Sequence, residues 1–177
     1  MDDQRNGAHL MTCGHFHALI GSVAAGGCSC TPAYVTGDRR ASITVTTSGH
    51  TVYNGPASDI IDGSTANGSG YWTTDMTNGA WIKFDWGAGV SIKITEAKWY
   101  VSSAGGSHGT WKWQGSNDDS SYTDIGSSFT LGGAGMTTQT ELSSNTNGYR
   151  YYRLYCVTAA NPGSTWTDEV EFKQCTC

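Results

Sequence analysis

The stretch WIKFDW (81–86) constrains the fold more than any other part of this sequence. Ile82, Phe84 and Trp86 alternate with Trp81, Lys83 and Asp85. In an extended chain one face is therefore wholly apolar and the other carries the charge, which defines a half-buried strand. YRYYRLYCV (149–157) repeats the pattern, with Tyr152, Leu154 and Cys156 on one side and Tyr149, Tyr151, Arg153 and Tyr155 on the other. Cys156 thus reads as an inert core thiol. Further strands are expected at SITVTT (42–47), SIKITEAKWYV (91–101), TWKWQGS (110–116), TTQTEL (137–142) and DEVEFK (168–173). NDDSSYTDIGSS (117–128) reads as a turn followed by a short strand. Clusters of Gly, Ser, Asn and Asp separate these runs at a spacing that suits a sandwich or barrel.

Composition supports the same class. The chain holds 24 glycines, 7 tryptophans and 9 tyrosines, with only 14% charged residues. That mixture favours short strands and tight turns over helices, so the expected class is all-β. At 177 residues there is room for one domain and an appendage. A formal charge of −5 with scattered Lys and Arg forms no basic stripe, which argues against nucleic acid and against an anionic membrane. No stretch is long enough for membrane insertion. ALIGSVAAGG (18–27) loosely suggests a signal h-region, but it follows an acidic start with His9, His15 and His17 and has Ala25 three residues before Cys28. The expectation is a chain with no cleaved signal peptide.

Residues 1–40 differ in character from the rest and read as an N-terminal Cys/His-containing appendage, with TGDRR (36–40) as its exit. A sandwich is expected over 41–173, followed by a Cys-x-Cys tail at 174–177.

The order of several motifs is informative. PASDIIDGS (56–64), YWTT (71–74), GAWIKFDWG (79–87), ITEAKWYV (94–101), WKWQGSNDDSSYTDI (111–125), YRYYRLY (149–155) and TDEVEF (167–172) follow one another over residues 41–173. Together they resemble the discoidin, or coagulation factor 5/8 type C, family, which is similar to family 32 carbohydrate-binding modules. The resemblance implies a jelly-roll β-sandwich of the galactose-binding type. Its loops at one end would bind a ligand, commonly a glycan, without catalysis.

Two kinds of site follow from the resemblance. A structural Ca2+ would lie between the loop SDIIDGST (58–65) and the last strand, with Asp62, Ser64, Thr65 and Glu169 as ligands beside backbone carbonyls. Ser64 stands where the family often has a second Asp, and Asp62 in an Asp-Gly turn capping its own backbone is the alternative. For the sugar, an aromatic plate beside hydrogen-bonding side chains is needed. Trp166, in the loop before the last strand, is the first candidate, with His50, Tyr53, His108 and Asn161 from other Gly/Ser-rich loops. Trp81, Trp86, Trp111 and Trp113 lie inside strand patterns and read as core or sheet-face residues.

Catalysis finds little support. GGSHG (105–109) has the Gly-x-Ser-x-Gly spacing, but it is followed by the strand pattern TWKWQGS where a nucleophile elbow needs a helix, and Glu169 and Glu171 share one face of one strand. Two neighbours about 7 Å apart on a strand do not flank a glycosidic bond from opposite sides.

The cysteines and histidines outside the sandwich form two groups. CGHFH places Cys13, His15 and His17 on one face of an extended chain, within reach of one metal ion or of a neighbouring subunit. His-x-His is similar to the motif by which trimeric phage spikes and fibres hold an axial iron; two unrelated surface histidines are the alternative. CSC (28–30) and CTC (175–177) form the second group. In a jelly-roll the first and last strands lie close, so antiparallel pairing would set Cys28 against Cys177 and Cys30 against Cys175. This quartet can make two disulfides, ligate Zn2+ or an iron–sulfur cluster, or stay as free thiols.

The functional expectation is a glycan-binding protein for adhesion or host recognition, carried on a phage-like virion or an extracellular surface. Its N-terminal segment would contact other virion proteins or further copies of itself, as in a trimer. The alternatives are a virion decoration protein without sugar binding, and an accessory carbohydrate-binding module of a secreted glycan-degrading system.

Overall fold

The computed structural model describes residues 28–49, 52–66, 68, 70–73, 76–101, 107–132, 135–160 and 165–177. Twelve strands are present among them: β1 (Ala33–Val35), β2 (Thr44–Thr47), β3 (Val52–Asn54), β4 (Tyr71–Thr73), β5 (Trp81–Asp85), β6 (Ile92–Val101), β7 (Ser107–Ser116), β8 (Thr123–Gly132), β9 (Gly135–Gln139), β10 (Tyr151–Ala159), β11 (Thr165–Thr167) and β12 (Glu169–Thr176). Short 3-10 helices span Ala57–Ile61 and Glu141–Ser144. One sheet has the order β1-β12-β6-β9, a second β2-β5-β10-β7-β8, and a third β11-β4-β3, all antiparallel. The first two form the sandwich expected of the all-β jelly-roll class.

The period-two pattern sets the register. Phe84 faces Tyr152 and Ile82 faces Leu154 across β5 and β10, so the apolar halves of both strands share the inner face and are buried. From the opposite sheet, β12 sends Val170 and Phe172 inward. Phe172 meets Phe84 edge-on at 4.9 Å between ring centroids, with Trp86 at 5.4 Å and Trp113 at 5.8 Å. Such edge-to-face pairs add roughly 0.5–1.5 kcal/mol each beyond the area they bury. Trp86, Trp111 and Trp113 are core residues, while Trp81 is half-buried on the outer face. Cys156 is buried and not disulfide-bonded, and burial pushes its thiol pKa up.

Tyr149 departs from its expected side. It precedes β10, pairs by a single bridge with Ile92, and packs edge-on against Tyr152 at 5.6 Å rather than continuing the outer row. The Tyr152 hydroxyl ties the two sheets together. It donates to the Ile92 carbonyl at 2.7 Å and accepts from the Ile94 amide at 3.2 Å and the Asn145 side-chain amide at 3.0 Å.

Residues 28–40 extend the sandwich instead of leaving it. β12 pairs with β6 along one edge, and its other edge would otherwise present open backbone groups. β1 covers it, with Val35 opposite Phe172 and Ala33 opposite Gln174. β12 also runs beyond residue 173, placing Cys175 opposite Lys93. Cys28 and Cys30 then bond to Cys177 and Cys175, with Cα separations of 5.3 and 6.1 Å. Sulfur committed to disulfides offers no thiolate to Zn2+ or an iron–sulfur cluster, so of the open alternatives for the quartet the fold takes the two cross-links. Hydrogen bonds seat this clamp: the Cys28 amide donates to the Thr146 carbonyl, the Cys177 amide to the Ser91 carbonyl, and Lys93 Nζ to the Cys28 and Cys30 carbonyls.

The strands run between two poles. Ile92, Tyr149 and Asn117 lie near the disulfide clamp; Val101 and Ala159 end β6 and β10 at the other pole, roughly 30 Å away by the length of ten-residue β6.

Candidate functional site

At the pole remote from the clamp, three strands too short to show alternation form the small sheet β11-β4-β3. Trp166 stands opposite Trp72, and Asn54 pairs with Trp72 from the other side. Residues directly opposed across an antiparallel pair share a face. The sheet is held tightly from below: Thr167 and Asp168 are buried, and the Asp168 amide donates to the Tyr100 carbonyl at 2.9 Å. A side chain at Gly70 would collide with the Thr167 backbone, so only glycine lets β4 approach β11 this closely. Asn54 Nδ2 donates to the Gly68 carbonyl at 3.1 Å, and the Gly68 amide to Asp168 Oδ1 at 3.3 Å.

Two of the five candidate sugar residues, Trp166 and Tyr53, thus belong to one sheet, on its outer strands β11 and β3. His50 and Asn161 lie outside the described residues. His108 sits within β7 and not in a loop; it is only 2% exposed. Its Nδ1 meets no hydrogen-bond partner among the described residues, and burial pulls its pKa down to about 4. Trp72, part of the YWTT motif, was not among the sugar candidates, although β4 sets it directly opposite Trp166.

Beside this sheet lies a cavity of about 310 Å³ lined by Thr65, Tyr100, Val101, Gly135 and Met136. Met136 is 52% exposed, an apolar group open to solvent at the same pole. The other aromatic surface, the outer face of the five-stranded sheet, is already covered by cations. Arg153 lies 3.7 Å from the Tyr122 ring centroid, Arg150 4.5 Å from Tyr151, and Lys83 5.2 Å from Trp81. Arg150 and Lys83 in turn bind Asp85 and Asp119. Rings stacked under guanidinium groups offer no open plate to a sugar.

Among the residues proposed for Ca2+, Asp62, Ser64 and Glu169 already bond within the protein. Asp62 Oδ1 accepts the Ser64 amide at 2.8 Å, and Ser64 Oγ accepts the Ala66 amide at 3.3 Å, closing two successive turns. Thr65 is exposed. Glu169 is 1% exposed, takes the Gly63 amide on Oε2 at 2.9 Å, and forms an ion pair through Oε1 with Arg39, itself 4% exposed. Arg39 Nε donates to the Gly37 carbonyl at 3.0 Å and Nη1 to that of Val35 at 3.4 Å. Burial pulls the Arg39 pKa down, opposed by the carboxylates of Glu171, Asp38 and Asp62. A donor set that already holds a guanidinium does not fit a bound Ca2+, which needs six to eight oxygens of its own. Cys13, His15 and His17 lie outside the described residues.

No family model and no curated protein matches the chain. Solved structures do. The family 62 carbohydrate-binding module of Xyl5A from Clostridium thermocellum aligns with a TM-score of 0.58 at 22% identity, over 81% of this chain and 98% of that one. A family 32 module from Clostridium perfringens in complex with GalNAc-β-1,3-galactose gives 0.58 at 15% identity, over 75% and 96%. The family 32 module of NanJ from Clostridium perfringens, in complex with galactose, gives 0.56 at 14% identity, over 77% and 97%. The fold is therefore the galactose-binding-like jelly roll that the motif order implied.

Proposed function

We propose that this chain is a non-catalytic carbohydrate-binding module whose ligand site is the pole built on β3, β4 and β11. The observation that carries the proposal is the register of Trp166 with Trp72 at the pole remote from the disulfide clamp. Trp166 and Trp72, in register on adjacent strands, would supply the C–H-facing plate a pyranose needs, with Asn54 opposite Trp72 as a hydrogen-bonding neighbour. Solved neighbours of this fold are complexed with galactose, with GalNAc-β-1,3-galactose and with Lewis b, so galactose-containing glycans are the first class to try.

Two disulfides fit an oxidising compartment outside the cytosol. Within this reading we place the module on an extracellular or virion surface, where adhesion uses the sugar. The segment bearing Cys13, His15 and His17 would then join it to other proteins or to further copies. A glycan array with the full chain tests the core of the proposal: wild type labels at least one glycan class and Trp166→Ala loses that label while remaining folded. Absence of binding to every glycan would overturn it in favour of a structural decoration role.

A further inference from the structure

The Arg39–Glu169 pair is buried and yet takes no part in the sandwich core or the proposed sugar face. Its construction is specific. The chain from Val35 to Arg39 curls so that its own carbonyls, Val35 O and Gly37 O, face its own guanidinium. Gly37 and Gly63, both in the left-handed region with φ of 78° and 86°, touch: a Cβ on Gly63 would lie 2.6 Å from the Gly37 carbonyl carbon. The Arg39 amide donates to the Ile61 carbonyl at 2.9 Å, and the Arg39 carbonyl accepts the amides of Ser42 and Ile43. The loop at 36–40 is thus fastened onto the loop at 61–64, and the side chain between them points at the last strand.

Around the guanidinium stand two backbone carbonyls and one carboxylate oxygen, with Asp62 and Glu171 adding negative potential. Hard oxygens of this kind are what a divalent ion would take from the same loop and the same strand. We infer that Arg39 is this chain's built-in cation: its guanidinium holds the Asp62 loop against Glu169 in place of a metal, and deleting it converts the locus into a divalent-cation site. A covalently attached charge is always present, so closure of the Gly63–Glu169 contact is independent of the ion content of the medium.

The test compares thermal unfolding of the full chain in chelator and in millimolar Ca2+, together with equilibrium dialysis against Ca2+. Wild type is expected to bind no Ca2+ and to unfold at the same temperature in both media. Arg39→Ala strands a buried carboxylate, so its Tm in chelator falls by roughly 10 °C. It regains several degrees in Ca2+, but not in an equal concentration of K+. The double variant Arg39→Met, Glu169→Met, which removes both charges, is expected to lose the Ca2+ response. Stoichiometric Ca2+ on wild type overturns the inference, as does a folded Arg39→Ala that Ca2+ leaves unchanged. If Arg39→Ala does not fold in chelator, the yield of soluble protein refolded in Ca2+ is read instead: recovery supports the inference and no recovery overturns it. Sugar binding does not enter any of these readouts.

Discussion

Trp166 of β11 and Trp72 of β4 are direct cross-strand partners in the sheet that caps the pole opposite the disulfides. If both contribute to one plate, neither suffices alone. Trp72→Ala is expected to weaken binding to any glycan recognised on the array by at least about tenfold, equivalent to ~1.4 kcal/mol. Titration calorimetry reads this directly. Tyr122→Ala, on the outer sheet under Arg153, leaves the affinity unchanged.

The two disulfides are nested, with sequence separations of 149 and 145 residues. Either one closes nearly the same loop, so the second adds little once the first exists. Replacing Cys28 and Cys177 with Ser, or Cys30 and Cys175, is expected to cost less than about 1 kcal/mol, whereas replacing all four costs ~5 kcal/mol. Denaturant titration of the three variants checks this non-additivity.

His108 is neutral in the fold down to about pH 4, below the ordinary value of 6.5. Its folded pKa is depressed, so below pH 6.5 the unfolded chain binds a proton that the native state refuses. Stability is complete above that value and is lost as pH falls towards 4, by up to roughly 3 kcal/mol. His108→Leu should flatten the upper part of this profile. Carboxylates held low by their partners, such as Asp85 beside Arg150, act only at more acidic pH.

Tyr152→Phe removes one hydroxyl that satisfies Ile92, Ile94 and Asn145 at once. The Ile92 carbonyl keeps the Tyr149 amide and Asn145 Nδ2 keeps the Ile94 carbonyl, so losing the hydroxyl's own bonds is expected to cost about 0.5–1.5 kcal/mol. Asn145→Ala in the Tyr152→Phe background should cost less than in wild type, which a double-mutant cycle measures.

Much of the sandwich was legible because long strands repeat a two-residue period: Ile82, Phe84 and Trp86, then Tyr152, Leu154 and Cys156, lie where that period puts them. The disulfide pairing was legible as one of several options, since equal Cys-x-Cys spacings match in an antiparallel register. Three-residue strands carry no period, which is why β3, β4 and β11 were missed and Trp72 was not among the sugar candidates. β8 was read only as a short strand closing the stretch 117–128, although it runs for ten residues, Thr123–Gly132. Arg39 was invisible for another reason. TGDRR has the composition of an exposed linker, and nothing local signals that one of its two arginines lies beneath the surface against a residue 130 positions later in the sequence. Long-range ion pairs leave no mark in local pattern. The adjacent Arg40, bound to Asp38 in solvent, is what such a segment ordinarily contains.

The Cys28–Cys177 bond also decides how the molecule bears load. A pull applied to the chain before Cys28 and balanced at Cys177 passes through one covalent bridge, and none of it reaches the hydrogen bonds of the intervening sheets. A pull on the chain before Cys28 balanced by a ligand at β3, β4 and β11 is carried instead along the full length of the strands, in the direction that loads every bond of β6 and β12 together. An oxidised molecule so strung would hold under traction that, in a reduced one, peels β1 away from β12.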